Sequence, residues 1–151
     1  MNRDFLDMLS VLSEEGVEFL IVGAHALAVH GHPRATGDLD VWINPTSDNA
    51  VRALRALQRF GAPLHDLTTD DLRLPTVVFQ IGLPPSRIDI LTGISGVSFP
   101  EAWERRVTVT IEGLSVAILG RDDFLTNKRL VGRQQDLSDV ARLCGETTDE
   151  S

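Results

Sequence analysis

The chain has 151 residues, of which 42% are hydrophobic and 24% charged, and its formal net charge is -8. That length suits one domain burying about 70% of its unfolded surface without staples, and the composition is far from that of a disordered chain. The acidic balance excludes nucleic-acid binding by bulk electrostatics, so such a role would need a local basic patch. A single cysteine, Cys144, excludes an internal disulfide and a Cys-rich zinc site and points to a reducing compartment. Arg3, Asp4 and Asp7 stand where a signal peptide would need apolar residues, and no run approaches the roughly 18 apolar residues of a membrane helix. The expectation is a cytoplasmic, single-domain protein over residues 1–151 that makes no use of a membrane.

Phe5, Met8, Leu9 and Leu12 recur at helical spacing, which predicts a helix over residues 3–15 stopped by Gly16. Residues 17–22 are apolar and β-prone, Gly23-Ala24 breaks the run, and residues 25–30 resume as a short helix before Gly31. A strand passing through glycine into a helix N-terminus offers free N–H groups to a phosphate, although one such turn alone is a weak signal. His32-Pro33-Arg34-Ala35-Thr36-Gly37 forms a polar connection whose Arg34 is long enough to reach a phosphate.

Residues 38–43, DLDVWI, read as a strand. Alternation places Asp38 and Asp40 on one face, roughly 7 Å apart at their Cα atoms, and Leu39, Val41 and Ile43 on the other. One face thus serves the core and the other offers paired carboxylates. Thr46 or Ser47 then caps a helix to about Phe60, with Ala50, Leu54 and Leu57 inward, Arg52, Arg55 and Arg59 outward, and Gly61 as its stop. The arginine row reads as a solvated face. Residues 62–75 show little periodicity, and Asp66, Asp70 and Asp71 read there as turn and cap residues.

Residues 76–81 and 87–91 predict two strands joined by a hairpin-like loop. In the second, R-I-D-I-L, Asp89 is a carboxylate inside an apolar strand. A charge so placed costs several kcal/mol unless paired or metal-bound, so it asks for a cation; an ion pair with Arg87, two residues away on the same face, is the purely structural alternative. A short helix with Trp103 follows over 98–105, then strands at 107–111 and 116–119 around Glu112-Gly113. From Arg121 a helix carries Asp122 and Asp123 in its first turn, with Phe124, Leu125, Leu130 and Val131 inward and Gly132 as the stop. Residues 135–143 form a last helix and 145–151 a frayed acidic tail.

Three acidic residues beside a glycine turn match what nucleotidyl transfer requires, namely carboxylates for Mg²⁺ and backbone donors for pyrophosphate. The sequence resembles the DNA polymerase β-like nucleotidyltransferase superfamily, whose signature runs from hG[GS] through a helix to DhDh and a third carboxylate on a later strand. The segments VGAHALAVHGHPRATGDLDVWI, RIDILTGI and DFLTNKRLVGRQQDLSDVARL are most similar to the bacterial group related to the AbiEii toxins and the minimal nucleotidyltransferases of toxin-antitoxin systems. The likeness covers nearly the whole chain, and DLD, RIDIL and NK-x5-QD in that order are more specific than any one of them.

The resemblance implies an α/β (α+β) fold with a mixed twisted sheet flanked by helices and two helices at the C-terminus. It implies a Mg²⁺- or Mn²⁺-dependent enzyme moving an NMP from an NTP onto a hydroxyl, with tRNA or another RNA, a partner protein or a small molecule as acceptor. Asp38 and Asp40 would be the metal pair and Asp89 the third carboxylate, helping to deprotonate the acceptor. Gly23 and Ala24 would form the phosphate turn, with His25, Arg34 and Thr36 beside it. Lys128 would face the triphosphate, and Asp136 would stand at the C-terminal acidic position. By spacing alone, Lys128 reads as a snorkelling surface lysine, and Arg133 with Asp136 as an ion pair.

Ala24 departs from the pattern, which expects Gly or Ser; a lost hydroxyl contact to a charged group is worth about 1 to 3 kcal/mol. This motivates an alternative, a catalytically weak or inactive regulator that binds a nucleotide or a partner. Three retained aspartates weigh against it, since they repel one another without a cation. A homodimer or a toxin or antitoxin partner fits either reading. A zinc site from His25, His30 and His32 is discounted, because it would need fixed geometry beside Pro33 and because magnesium chemistry prefers oxygen ligands.

Overall fold

The computed structural model describes residues 1–31 and 37–131. Helix α1 (Arg3–Glu14) is capped by Asn2, whose side chain accepts from the Asp4 amide, and it buries Phe5, Met8, Leu9 and Leu12 as their spacing predicts. Strand β1 (Phe19–Val22) is buried throughout. Helix α2 (Gly23–Val29) starts at Gly23 itself, two residues earlier than the sequence break suggests, because Gly23 takes a φ of 70° that turns the chain directly from strand into helix. Strand β2 (Asp38–Ile43) is followed by α3 (Ser47–Phe60), where the Thr46 side chain accepts from the Asn49 amide and Gly61 ends the helix at a φ of 88°.

Strand β3 (Val78–Ile81) begins two residues later than predicted, and β4 (Arg87–Leu91) has the predicted bounds. Helix α4 (Phe99–Glu104), β5 (Val107–Ile111), β6 (Leu114–Ile118) and α5 (Arg121–Val131) complete the described chain. Glu112 and Gly113 both have positive φ, 48° and 85°, which suits the tight turn between β5 and β6.

The six strands form one mixed sheet in the order β3-β4-β2-β1-β6-β5. Strand β1 pairs antiparallel with β2 and parallel with β6, while β2 pairs parallel with β4. The last pairing positions the site. It sets Asp38 opposite Arg87 and Asp40 opposite Asp89, and residues in register on neighbouring strands project to the same side. Four charged side chains therefore share one face.

On the other face Leu39, Val41 and Ile43 are fully buried. Trp42 is also buried, although it lies on the aspartate side: its ring meets Phe99 of α4 edge-on at 5.0 Å, and Phe99 stacks on Trp103 at 5.6 Å. Helix α4 thus covers the far end of that face, leaving it open over Asp38 and Asp40. Asn49, 1% exposed, latches the start of α3 to the sheet by accepting from the Glu18 amide and donating to the Glu18 and Asn44 carbonyls. Nothing in the periodicity of the sequence marks it.

Helix α5 differs from its predicted orientation. Phe124, Leu125 and Lys128 face inward, whereas Leu130 is 62% exposed and Val131 is exposed as well. At about 100° per residue, Lys128 and Val131 fall on the Phe124 side of the helix, where Val131 borders the cavity beside Asp40 while staying partly exposed, and Leu130 turns away from it. Asp123 serves more than the helix dipole: it is buried and takes a two-pronged bond from Arg105, at 3.0 Å from Nε and 2.8 Å from Nη2. The predicted stop at Gly132, the helix over 135–143, Cys144 and the tail lie outside the described residues. No helix among those described is long and apolar enough to cross a membrane.

Candidate active site

The parallel register of β2 and β4 gathers Asp38, Asp40, Arg87 and Asp89 at one place on the sheet. Asp89 is 8% exposed, with Ile88 and Ile90 buried on either side of it. Arg87 Nη2 donates to Asp38 Oδ2 at 2.7 Å and to Asp89 Oδ2 at 3.3 Å, so the pairing foreseen as the structural alternative is present. It does not satisfy the cluster. Among the described residues Asp89 Oδ1 and Arg87 Nε are buried without a hydrogen-bond partner, and the three carboxylates outnumber the nearby cations Arg87 and Lys128.

The surplus charge falls on Asp40. Burial pushes its carboxyl up from the ordinary 3.8 to about 6, helped by the nearby charges of Asp89 and Asp38, while Lys128 pulls the other way. An all-oxygen donor set of this kind, with a buried unpartnered oxygen, fits a hard divalent cation. Among the described residues no three His, Cys, Asp or Glu side chains already stand close enough together to hold a metal ion, and Arg87 contacts both Asp38 and Asp89.

Gly23 is fixed here by two requirements. Its φ of 70° is strained for any residue with a side chain, and an added Cβ would collide with Asp40 Oδ2. The glycine lets the carboxylate lie directly against the β1–α2 turn. Asp40 and Gly23 border a cavity of about 340 Å³ whose wall also includes Thr76, Ser95, Asn127 and Lys128. Asn127 Nδ2 donates to the Ser95 carbonyl at 3.1 Å, tying α5 to the loop after β4. Lys128 is 8% exposed, with Nζ 5.4 Å from the centre of the Phe124 ring. It looks into the cavity toward Asp40 rather than snorkelling to the surface.

Other candidates are not brought to this cavity. His25 turns its ring edge to Phe5 at 5.6 Å, and burial lowers its pKa against the raising effect of its hydrogen bond to the Asp38 backbone. His30 bonds the Leu119 carbonyl at 2.9 Å. Ala24 follows Gly23 in the turn, half-buried. His32, Arg34, Thr36, Arg133 and Asp136 lie outside the described residues. With Lys128 turned inward, the basic face expected from Lys128, Arg129 and Arg133 retains only Arg129 as an exposed described member.

Thr76, Ser95 and Asn127 escaped sequence reasoning. Asn127 sits next to Lys128 in the NK pair and was within reach of it; Thr76 and Ser95 are loop-side polar residues with no pattern to single them out.

Residues 1–150 match a family model described as a nucleotidyl transferase of unknown function (DUF2204). The chain belongs to that family. No curated protein matches this nucleotidyl transferase in sequence. In fold, the nucleotidyl transferase is similar to a candidate nucleotidyltransferase from Thermotoga maritima, with 14% identity, a TM-score of 0.63, and coverage of 95% of this chain and 91% of that one. It is also similar to the antibiotic-resistance factor ANT(2'')-Ia, at 11% identity and a TM-score of 0.62 over 94% of this chain and 81% of that one. A lincomycin-bound lincosamide adenylyltransferase, LnuA, gives 10% identity and a TM-score of 0.59 over 97% and 98% of the two chains. Both the family and these structures agree with the superfamily that the sequence resembles and with its mixed sheet flanked by helices.

Proposed function

We propose that the protein transfers an NMP from an NTP to a hydroxyl acceptor with the help of Mg²⁺ or Mn²⁺. The observation that supports this most is the opposition of Asp40 and Asp89 across β2 and β4, beside Asp38, at the edge of a cavity that Lys128 also enters. Asp38, Asp40 and Asp89 would hold the cation, which when bound neutralises phosphate oxygens and lowers the pKa of an attacking hydroxyl. In the reaction the acceptor oxygen forms a bond to the α-phosphorus, the bond to the β-phosphate oxygen breaks, and pyrophosphate departs. Asp89 takes the hydroxyl proton, Lys128 offsets charge on the triphosphate, and Gly23-Ala24 leaves backbone amides open toward it.

Nucleotide recognition extends in this reading to Arg34, Thr36 and Asp136, with His25 acting only through the packing of α2. The acceptor we favour is tRNA or a partner protein, in a toxin-antitoxin-like setting inside the cytoplasm. A small hydroxylated molecule is the rival, since two structures of similar fold come from an antibiotic-resistance factor and a lincosamide adenylyltransferase. Incubation with Mg²⁺ and α-labelled NTPs, with tRNA, cell lysate or a panel of hydroxylated antibiotics that includes lincosamides in separate tubes, tests both. Label appears on one acceptor class and is lost with Asp89→Asn; absence of label on every acceptor counts against catalysis.

A second reading is favoured by the Arg87 bridge together with Ala24: a nucleotide-binding regulator of the same fold that has little or no activity. Calorimetry separates the two, because NTP binding indifferent to Mg²⁺ belongs to the regulator.

A further inference from the structure

We infer that Arg87 is a resident counter-cation, occupying the acidic face in the metal-free protein and displaced from Asp38 and Asp89 when a divalent ion binds. This rests on the cation assigned under the proposed function and adds a competitor to it. One nitrogen, Nη2, is shared between carboxylates of two strands, at 2.7 Å from Asp38 Oδ2 and 3.3 Å from Asp89 Oδ2. An arginine built purely for structure can do better, as Arg105 shows by engaging both oxygens of Asp123 through two of its nitrogens. Arg87 instead leaves its Nε buried and unpartnered, and Asp89 Oδ1 is likewise unpartnered. The guanidinium carries one charge and touches two carboxylates through a single nitrogen, while Asp40 beside them is offset by Lys128 instead. A divalent ion offers twice the charge at the same oxygens, so the two cations exclude one another.

If instead Arg87 only orients the carboxylates, its removal would weaken metal binding; competition predicts the opposite sign. Mn²⁺ binding is measured by titration calorimetry on the full chain and on Arg87→Gln and Arg87→Lys, without nucleotide. Competition gives Arg87→Gln an affinity about ten-fold or more above wild type, from the removal of one adjacent positive charge. Arg87→Lys, whose shorter stem cannot span both strands, falls between the two and carries the test should the glutamine variant not fold. Equal or weaker binding in the folded variants, with wild type still binding Mn²⁺, overturns this inference and leaves the proposed function standing. No Mn²⁺ binding by any of the three overturns both.

Discussion

Arg59 and Arg87 each bridge a pair of carboxylates, and they do so in different surroundings. Arg59 of α3 reaches Glu14 at 2.6 Å and Glu15 at 3.0 Å, with Arg55 3.8 Å from Glu15, so two cations face two anions at the end of α1. Their charges balance, and the Arg59 and Glu14 side chains are largely exposed, so water screens whatever remains. Arg87 faces Asp38 and Asp89 with Asp40 alongside, where Asp89 is buried and the anions outnumber it. In this second cluster the Asp40 carboxyl is displaced up to about 6. The difference shows that an acidic group marks a candidate site when its excess charge is removed from water, not when acids are merely numerous.

The largest break in that comparison comes from neutralising the buried acids. Asp40→Asn or Asp89→Asn is expected to lower kcat/KM for nucleotidyl transfer by about three orders of magnitude or more, since each removes a cation donor and Asp89 also the base. Initial rates under saturating Mg²⁺ measure it; loss of less than about ten-fold would remove both residues from the chemistry. Next comes Lys128→Gln, which should raise KM for the NTP by roughly 10- to 100-fold with a smaller change in kcat, because the lysine borders the cavity from a buried position. The same change removes a charge that lowers the Asp40 pKa, so the titration of that carboxyl, followed by NMR, moves above about 6.

Much of this arrangement was legible in the sequence, and the residues show why. The period-two spacing of Asp38 and Asp40 follows from strand geometry alone, and so does the buried stripe of Leu39, Val41 and Ile43. Asp89 inside RIDIL announced a need for positive charge, but a local pattern cannot say whether Arg87 or a metal answers it. What brings Asp38 and Asp40 beside Asp89 is the register of β4 against β2, a long-range fact no window of residues contains. Lys128 posed a similar limit. Its position four residues after Phe124 is compatible with a surface or an inward role, and the packing of α5 selects inward. Leu130 misled because an apolar residue near a helix end imitates a continued stripe.

A finer effect concerns pH in the metal-free protein. Folding raises Asp40 from 3.8 to about 6, so the folded state holds that proton more tightly than the unfolded chain does. The resulting stability is complete below pH 3.8 and is lost as pH rises through about 6, a change on the order of 3 kcal/mol. Asp40→Asn should therefore be more stable than wild type at neutral pH by about 1 to 3 kcal/mol, with the gap closing by about pH 4. Urea unfolding in chelator at several pH values reads this directly. A gap that fails to narrow on acidification would mean that Asp40 is not held under charge pressure.

The smallest effect belongs to the exposed cluster and completes the contrast. Arg59→Ala removes two short ion pairs, yet Glu14 keeps access to solvent, and the less exposed Glu15 keeps Arg55 as a second cation 3.8 Å away. A surface pair gives up side-chain entropy to form and is screened by salt, so the melting midpoint at physiological ionic strength should be indistinguishable from wild type. The comparison with Arg87→Gln in chelator is the decisive one, because both changes delete an arginine from two carboxylates. If Arg59→Ala lowers the midpoint as much as Arg87→Gln does, burial and charge excess are not what separate the two clusters, and the acidic face of β2 and β4 loses its claim to be special.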